Sequence, residues 1–330
     1  MAVRIGMNGF GRIGRYLTRL LMEEPELELV GFNARADNAT YAHTFKYDSV
    51  FGTYKGEVKA DDDGLTIDGN HIKVTRWPNP GETKWADENV DIVIEATGKF
   101  KDRDSLTQHM NNGAKKVIMS APAKDPDISI VYSVNEKDYD PDSHHIIDAA
   151  SCTTNCLAPV AKVLHDNFGI KHALMTTIHS YTMSQRILDG SHKDLRRGRA
   201  AALSQIPTTT GAAKAVTRVI PELDGRLDGM AVRVPTADGS LVDLVAELEK
   251  STSAEEINET FKKNVSDSLG YSDEPLVSID YIGDSHGAVV DGLTTAVIGG
   301  TMCKVLAWYD NEAGYTNQLL RVIKMVAGKL

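Results

Sequence analysis

Cysteine, basic side chains and long apolar runs are all scarce in this chain, and each scarcity removes a class of protein. Only three cysteines, Cys152, Cys156 and Cys303, occur in 330 residues. An odd, small number over that length excludes a disulfide framework and predicts a reducing compartment. Basic residues number 36 against 46 acidic ones, for a formal net charge of -10. That balance argues against a nucleic-acid footprint over the whole molecule, so no nucleic-acid partner is expected. No apolar run approaches the roughly 20 residues that a bilayer crossing needs. Met1-Ala2-Val3-Arg4-Ile5-Gly6 offers neither a long apolar h-region nor a small-residue cleavage site. No membrane association is expected, and the predicted address is cytoplasmic. Internal repeats, low-complexity tracts and flexible linkers are missing as well.

What is present has the composition of a globular enzyme, 42% hydrophobic and 25% charged. The length suits two domains. Val3-Arg4-Ile5-Gly6-Met7-Asn8 reads as a buried strand, Ile13 to Met22 carries the apolar period of a helix, and Leu27 to Phe32 reads as the next strand. Such a unit is long enough for a right-handed parallel crossover. Further strands are predicted at Asp91–Glu95, Lys116–Met119 and Ile128–Tyr132. The fold class is therefore α/β, with a Rossmann-type doubly wound sheet over residues 1–150. Beyond Cys156 the alternation in Leu241–Val245 and Thr295–Ile298 predicts an α+β catalytic domain with a large, mostly antiparallel sheet, residues 151–313. An amphipathic helix near Thr316–Val326 closes the chain, and residues 314–330 are expected to complete the first domain. Ser180 to Pro207 is polar, Arg-rich and weakly periodic, which marks it as functional rather than idle.

Gly9-Phe10-Gly11-Arg12-Ile13-Gly14 is a G-x-G-x-x-G between a predicted strand and a predicted helix. In that setting the glycines permit a tight turn and let backbone N–H groups approach a pyrophosphate on the positive helix end. A dinucleotide site follows. About 20 positions on, an acid is expected to hold the adenosine ribose, but the sequence reads Asn33-Ala34-Arg35-Ala36-Asp37. Either a backbone group or Asp37 replaces the acid, or its absence at Ala34 makes room for a 2′-phosphate that Arg35 helps to neutralise. The second reading is favoured.

Ala150-Ser151-Cys152-Thr153-Thr154-Asn155-Cys156 precedes a strongly apolar helical run. Ser151 or Cys152 falls near the N-cap, where the helix dipole is expected to lower a thiol pKa. Cys303 and Cys156 read as small buried hydrophobes, and the C-x-x-x-C spacing without further ligands predicts no metal site. A catalytic cysteine needs a base. His179 ends a strand-like run and enters the polar loop, although spacing alone leaves it open between a base and a core histidine.

From end to end the chain resembles the phosphorylating glyceraldehyde-3-phosphate dehydrogenases. The resemblance rests on Asn8–Arg15, Lys46-Tyr47-Asp48-Ser49, Glu95-Ala96-Thr97-Gly98, Ser151–Cys156 with Leu157-Ala158-Pro159, His179-Ser180-Tyr181-Thr182, Pro207–Lys214, Arg233-Val234-Pro235-Thr236 and Trp308–Glu312. It implies Cys152 as nucleophile and His179 as base in the oxidation of glyceraldehyde 3-phosphate, with inorganic phosphate cleaving a thioester. It also implies that Thr182 and Arg233 hold the substrate phosphate, and that Ser151, Thr153, Thr210 and Gly211 hold the attacking one. Gly9, Gly11, Arg12, Ile13, Gly14, Ala34, Arg35, Ser120, Ser191 and Asn311 would bind the cofactor, Asn311 at the nicotinamide carboxamide. The family is usually a homotetramer in which the Ser180–Pro207 stretch reaches toward a neighbour's cofactor.

Four departures from the family pattern stand out: Ala313 after Asn311-Glu312, Met183-Ser184 after Thr182, Pro78 near the adenine position, and Gly190-Ser191. NAD-using members usually carry Leu-Pro at the last of these, whereas photosynthetic NADP-using members carry a small residue and Ser and lack the ribose-binding acid. NADP is therefore the expected cofactor, with some use of NAD. Erythrose-4-phosphate dehydrogenases share the fold, the Cys and the His but lack the Tyr-Thr seen here as Tyr181-Thr182. A redox-sensing or RNA-binding homologue without turnover would not need Cys152, His179, Thr182 and Arg233 together.

Overall fold

A computed structural model describes residues 2–330; Met1, which opens the N-terminal segment read above, lies outside the described residues. The chain divides into two compact units. One contains the residues up to Ile130 together with Lys137–Ala150 and Leu319–Leu330, and the other contains Val131–Glu136 and Ser151–Gln318.

The first unit contains, in chain order, β1 (Val3–Asn8), α1 (Arg12–Leu21), β2 (Leu27–Asn33), α2 (Asn38–Lys46), β3 (Tyr47–Asp48), β4 (Gly52–Thr53), β5 (Val58–Ala60), β6 (Gly64–Ile67) and β7 (Asn70–Thr75). It continues with β8 (Ile92–Glu95), α3 (Arg103–Asn111), β9 (Lys116–Met119), β10 (Ile128–Ser129) and β11 (Ile146–Asp148). Nine strands form one sheet in the order β10-β11-β9-β8-β1-β2-β7-β6-β5. It is parallel from β10 to β7, and β6 and β5 extend it as an antiparallel meander. The doubly wound sheet is borne out. Two details differ from the sequence reading. The strand expected over Ile128–Tyr132 shrinks to two residues, Ile128–Ser129. The meander of β5, β6 and β7 was not foreseen, because exposed polar residues such as Lys59, Asp61 and Asp63 mask its periodicity.

The order reverses beside β1, which pairs with β2 on one side and β8 on the other. That is the switch point at which such sheets bind ligands, outside the carboxyl ends of the strands. Buried polar groups fix those ends. Asn8 donates to Glu95 and accepts from Asn33, and Glu95 also accepts from the Thr97 backbone and from His109 at 3.2 Å. The indole of Trp85 donates to His109 Nδ1 at 2.9 Å, so Nε2 carries the proton that Glu95 receives.

The second unit contains α4 (Cys152–Phe168), β12 (Ile170–Ser180), β13 (Ile206–Thr209), α5 (Ala212–Val219), β14 (Leu227–Val234) and β15 (Ser240–Leu248). After these come α6 (Ala254–Lys263), β16 (Leu269–Ser272), β17 (Ala288–Ile298) and β18 (Met302–Tyr309). The helix α7 (Ala313–Ala327) begins in this unit, and its residues from Leu319 belong to the first. The sheet order is β13-β14-β12-β15-β18-β17-β16. Only the pairs β12–β14 and β16–β17 are parallel, so the expected mostly antiparallel sheet is present. Burial alternates along β15 and β18, with Val242, Leu244, Ala246, Val305 and Ala307 turned to the core. The same parity buries Met175, Thr177 and His179 on β12, leaving Leu174 on the opposite face, 68% exposed. The buried α4 belongs to the covered face, where Cys156 Sγ reaches the Ala307 carbonyl at 3.7 Å.

Candidate active site

The glycine loop meets the requirements of a dinucleotide cradle. Gly9 has φ +107°, a conformation that only glycine adopts without strain. A Cβ on Gly14 would lie 2.5 Å from the Gly9 carbonyl, so α1 could not pack against the turn with any larger residue. A Cβ on Gly11 would meet nothing within 4 Å, leaving that face open for close backbone approach. Gly11 is the N-cap of α1 and offers no side chain to it, and the first turn carries no acid. The helix end is thus positive and suited to an anion. Phe10 anchors the loop by stacking on Phe32 at 3.8 Å between centroids. The guanidinium of Arg12 pairs with Asp48 and lies over the Phe51 ring, and Ile13 follows in the first turn of α1. Ser120 is half-buried just beyond β9 and donates its N–H to the Glu95 carbonyl at 3.0 Å.

At the end of β2, Ala34 donates its N–H to Thr75 O, and Arg35 is exposed. Asp37 is the N-cap of α2: one oxygen accepts from Thr40 N at 2.8 Å and the other from its hydroxyl at 2.7 Å. Its carboxylate is held below the usual range by those Thr40 hydrogen bonds. Arg76 donates to Ala36 O and to Asn38 Oδ1, adding a second guanidinium beside this loop.

In the second unit, Ser151 caps α4: its Oγ accepts from Thr154 N at 3.1 Å and lies 2.7 Å from the Thr154 hydroxyl. The residue before it, Ala150, sits at φ +54°, a costly conformation for a residue with a Cβ. This turn and cap deliver Cys152 as the first helical residue. Its Sγ lies 3.4 Å from His179 Nε2. His179 Nδ1 lies 2.7 Å from Ser180 O and 2.9 Å from Arg233 Nη1. Arg233 Nη1 also reaches Ser180 O at 2.9 Å. The arrangement that satisfies all three groups has the Nδ1 proton and Arg233 both donating to Ser180 O, which leaves Nε2 as an acceptor facing the thiol.

Burial depresses the His179 pKa to about 3, and the charges of Arg233 and Arg197 add to the effect. Burial pushes the Cys152 thiol up, against the pull of Arg233 and of its hydrogen bonds with Thr153. Burial thus opposes the lowering expected of a thiol at a helix start. Burial also disfavours the imidazolium, so the surroundings of both groups favour their neutral forms, against the pull of Arg233 on the thiolate.

Arg233 also reaches Thr182 Oγ1 at 3.4 Å, so those two expected phosphate ligands come together. Its Nε is buried without an acceptor, as is Gln185 Nε2. An anion would supply what both lack. The Thr153 hydroxyl lies 2.9 Å from Tyr309 OH and 4.0 Å from Cys152 Sγ. Thr210 and Gly211 form the start of α5, where Thr210 Oγ1 accepts from Ala212 N at 3.2 Å, Gly211 adds no side chain, and a Cβ on it would meet nothing within 4 Å. Asn311 is 6% exposed, and its Oδ1 accepts from Ser240 Oγ at 2.6 Å, which turns the amide N–H groups to the other side. Ser191 lies on the exposed Arg-rich loop, where its carbonyl accepts from Arg186. Among the described residues no cluster of His, Cys, Asp and Glu is arranged to hold a metal.

Two residues escaped the sequence reading. Arg197 donates to Thr208 Oγ1 at 2.8 Å and to Thr209 O at 3.0 Å, and its charge reaches both His179 and Arg233. Tyr309 is buried between the Thr153 and Thr177 hydroxyls, its ring edge-on to His179 at 6.0 Å. Position within the Trp308-Tyr309-Asp310-Asn311 motif was the only available signal for the latter.

A doubly wound sheet with a glycine-loop cradle, and a second unit with a paired thiol and imidazole beside buried guanidinium groups, define a nicotinamide-dependent oxidoreductase of the cysteine type. Comparison with known proteins names its family. Residues 3–103 match "Glyceraldehyde 3-phosphate dehydrogenase, NAD binding domain", and residues 151–311 match "Glyceraldehyde 3-phosphate dehydrogenase, C-terminal domain". The chain is 53% identical to glyceraldehyde-3-phosphate dehydrogenase of Geobacillus stearothermophilus, covering 100% of this chain and 99% of that one. It is 51% identical to glyceraldehyde-3-phosphate dehydrogenase 1 of Bacillus subtilis, with 100% and 99% covered. Against glyceraldehyde-3-phosphate dehydrogenase 2 of Trichormus variabilis the identity is 48%, with 99% of each chain covered. The chain belongs to the glyceraldehyde-3-phosphate dehydrogenase family.

Proposed function

We propose that this protein oxidises glyceraldehyde 3-phosphate to 1,3-bisphosphoglycerate, reversibly, through a thioester on Cys152. The observation that carries the proposal is the 3.4 Å contact between Cys152 Sγ and the acceptor nitrogen of His179. His179 takes the thiol proton as sulfur bonds to the aldehyde carbon and passes it to the oxygen of the opening C=O, giving a thiohemiacetal and a neutral imidazole again. When bound, the nicotinamide ring accepts the hydride that leaves that carbon. His179 takes the hydroxyl proton as the thioester forms. Inorganic phosphate then attacks the acyl carbon, the C–S bond breaks, and the Cys152 thiolate that leaves takes the proton back from His179. Thr182 and Arg233, with its unfilled Nε, hold the substrate phosphate, and Arg197 supplies a further cation in a chain of net charge -10. Ser151, Thr153, Thr210 and Gly211 remain the proposed ligands of the attacking phosphate, the open start of α5 being the best supported. Asn311 presents its amide N–H groups to the nicotinamide carboxamide. The deciding assay is phosphate-dependent reduction of NADP or NAD with glyceraldehyde 3-phosphate; no reduction, or reduction independent of phosphate, refutes the proposal.

For the cofactor we infer NADP, with some use of NAD. Support comes from Ala34 at the acid position and from Asp37, whose two oxygens are both occupied in capping α2. Arg35 and Arg76 beside the loop favour added negative charge, and Ser191 would add a donor from a neighbouring copy. Turnover per unit affinity for the two dinucleotides tests this. Residues 1–150 with 314–330 are proposed as the dinucleotide-binding half and 151–313 as the catalytic half. A cytoplasmic homotetramer is proposed as well. It is supported by apolar side chains left on the outer sheet face, Leu174, Met230 and Met302, and on the Arg-rich loop, Ile187, Leu188 and Leu195. Among the described residues, no helix is long and apolar enough to cross a membrane.

A further inference from the structure

Two carboxyl groups are buried together behind the site. Asp238, in the turn that leads into β15, is 3% exposed, and Asp310, just after β18, is 0% exposed. Asp310 is well supplied with donors. Its Oδ2 accepts from Gly283 N at 2.7 Å, and its Oδ1 from Glu312 N at 2.8 Å and Ala313 N at 2.7 Å. Burial pushes the Asp310 carboxyl up, against three backbone N–H groups that favour its charged form. Asp238 is not supplied in the same way. Its Oδ1 accepts from Gly239 N at 2.9 Å, but its buried Oδ2 has no donor. A buried acceptor without a partner is costly, and a second buried anion beside Asp310 more so.

The other groups facing the pair do not neutralise it. Glu312 at the start of α7 adds negative charge, and Asp238 in turn opposes ionisation of Cys152 at the start of α4. The 278–284 segment offers the Gly283 N–H, while its carboxylates are turned elsewhere: Asp280 accepts from Val277 N and Asp284 from His286. Arg233 and His179 are engaged at Ser180 O. One proton resolves the conflict, since Oδ2–H of Asp238 would donate to Asp310. In keeping with this, burial and then the charges of Asp310 and Glu312 push the Asp238 carboxyl well above the usual carboxylate range. Gly239, at φ +81° with room for a Cβ blocked by Ser278 O at 2.6 Å, pins the turn.

The turn is tied to the residues assigned above. Gly239 O accepts from Ser180 Oγ at 2.8 Å, and Ser240 Oγ accepts from Ser180 N at 3.1 Å while donating to Asn311 Oδ1. Ser180 O in turn holds His179 and Arg233. We propose that Asp238 and Asp310 share one proton, and that this hydrogen bond is a positioning element that fixes Asn311 and the Ser180 backbone behind His179. What Asn311 and His179 do rests on the proposed function; the shared proton does not. Above the pH at which the pair loses it, adjacent buried anions would force the two turns apart.

The test uses the full-length protein and Asp238→Asn, which keeps an N–H donor toward Asp310 but has no proton to lose. Infrared difference spectra, parent minus variant, should show a protonated carboxyl C=O band at pH 7 that disappears reversibly as the parent is titrated into the alkaline range. The parent's KM for NADP and for NAD should rise by about tenfold per pH unit above the midpoint at which that band is lost, with kcat less affected. Asp238→Asn should keep kcat/KM within about tenfold of the parent at pH 7.5 and lose the alkaline rise in KM. Asp238→Leu, with no donor, should show a raised dinucleotide KM at every pH. Absence of the carboxyl band in the parent at neutral pH overturns the shared proton, whatever the variants do. A band that titrates while both proteins keep the same KM profile overturns the positioning role. Neither result bears on the Cys152 chemistry, which the phosphate-dependent assay tests separately.

Discussion

Replacing His179 by asparagine separates two effects that the structure assigns to one buried ring. The first is chemical. His179 Nε2 is the acceptor 3.4 Å from Cys152 Sγ, and asparagine offers no base there. Loss of a general base of this kind costs roughly 10²–10⁴-fold in rate, which is about 3–5 kcal/mol of activation free energy. The second is thermodynamic. His179 is 3% exposed, and its pKa is depressed to about 3, whereas in the unfolded chain it titrates near the ordinary value of 6.5. Between those values the unfolded state binds the extra proton, so the native state loses stability as pH falls. The slope is about 1.4 kcal/mol per pH unit below about 6.5. By pH 4.5 the parent should have lost about 3 kcal/mol that a non-titrating asparagine does not lose. Urea unfolding of both proteins from pH 7.5 to 4.5 measures the difference. Iodoacetamide alkylation of Cys152, followed in the same cofactor-free proteins, measures the chemistry. Parent alkylation should climb with pH into the alkaline range, with no plateau between pH 5 and 8, because the thiol is pushed up and the imidazole stays neutral. Parallel stability profiles would refute the depressed imidazole. A parent plateau at pH 5–8 would mean that the pair rests as thiolate and imidazolium, and an unchanged alkylation rate in the variant would refute the pairing itself.

Cys152→Ser should abolish dehydrogenase turnover while leaving dinucleotide binding intact in a titration; residual activity within about tenfold of the parent would mean that another residue forms the covalent intermediate. Arg233→Leu should impair glyceraldehyde 3-phosphate far more than unphosphorylated glyceraldehyde, and equal losses in kcat/KM on both would assign Arg233 a structural role instead. The double change Ala34→Asp with Ser191→Pro should move the kcat/KM preference toward NAD, by placing a carboxylate near the 2′-phosphate and deleting a hydroxyl donor. A parent that strongly prefers NAD, or a double variant with unchanged preference, rules out the NADP assignment.

Much of this protein could be read along the chain because its signals are local. A strand, a glycine turn and a helix start within Val3–Leu21 are set by steric freedom and apolar period over a few residues, so the cradle at Gly9–Gly14 was legible in full. The capping role of Ser151 and the position of Cys152 at a helix start are local in the same way. Alternation along Leu241–Val245 sufficed for β15, because one face of that strand meets a core and the other does not. The meander of β5, β6 and β7 was not legible, since its strands are short and set among exposed polar residues such as Asp61, Asp62, Asp63, Asp68 and Asn70, although Leu65, Ile67, Ile72 and Val74 are buried. Folding alone decided the electrostatics. A helix start by itself favours a thiolate, but how deeply Cys152 would be buried, and that Arg233 would stand in register with His179 across β12 and β14, depends on residues 27 and 81 positions away. The same holds for Tyr309 behind Thr153 and for Asp238 against Asp310. Chain spacing sets which groups a segment carries; only packing sets how much water they lose and which charges they face, and those two quantities fix a pKa.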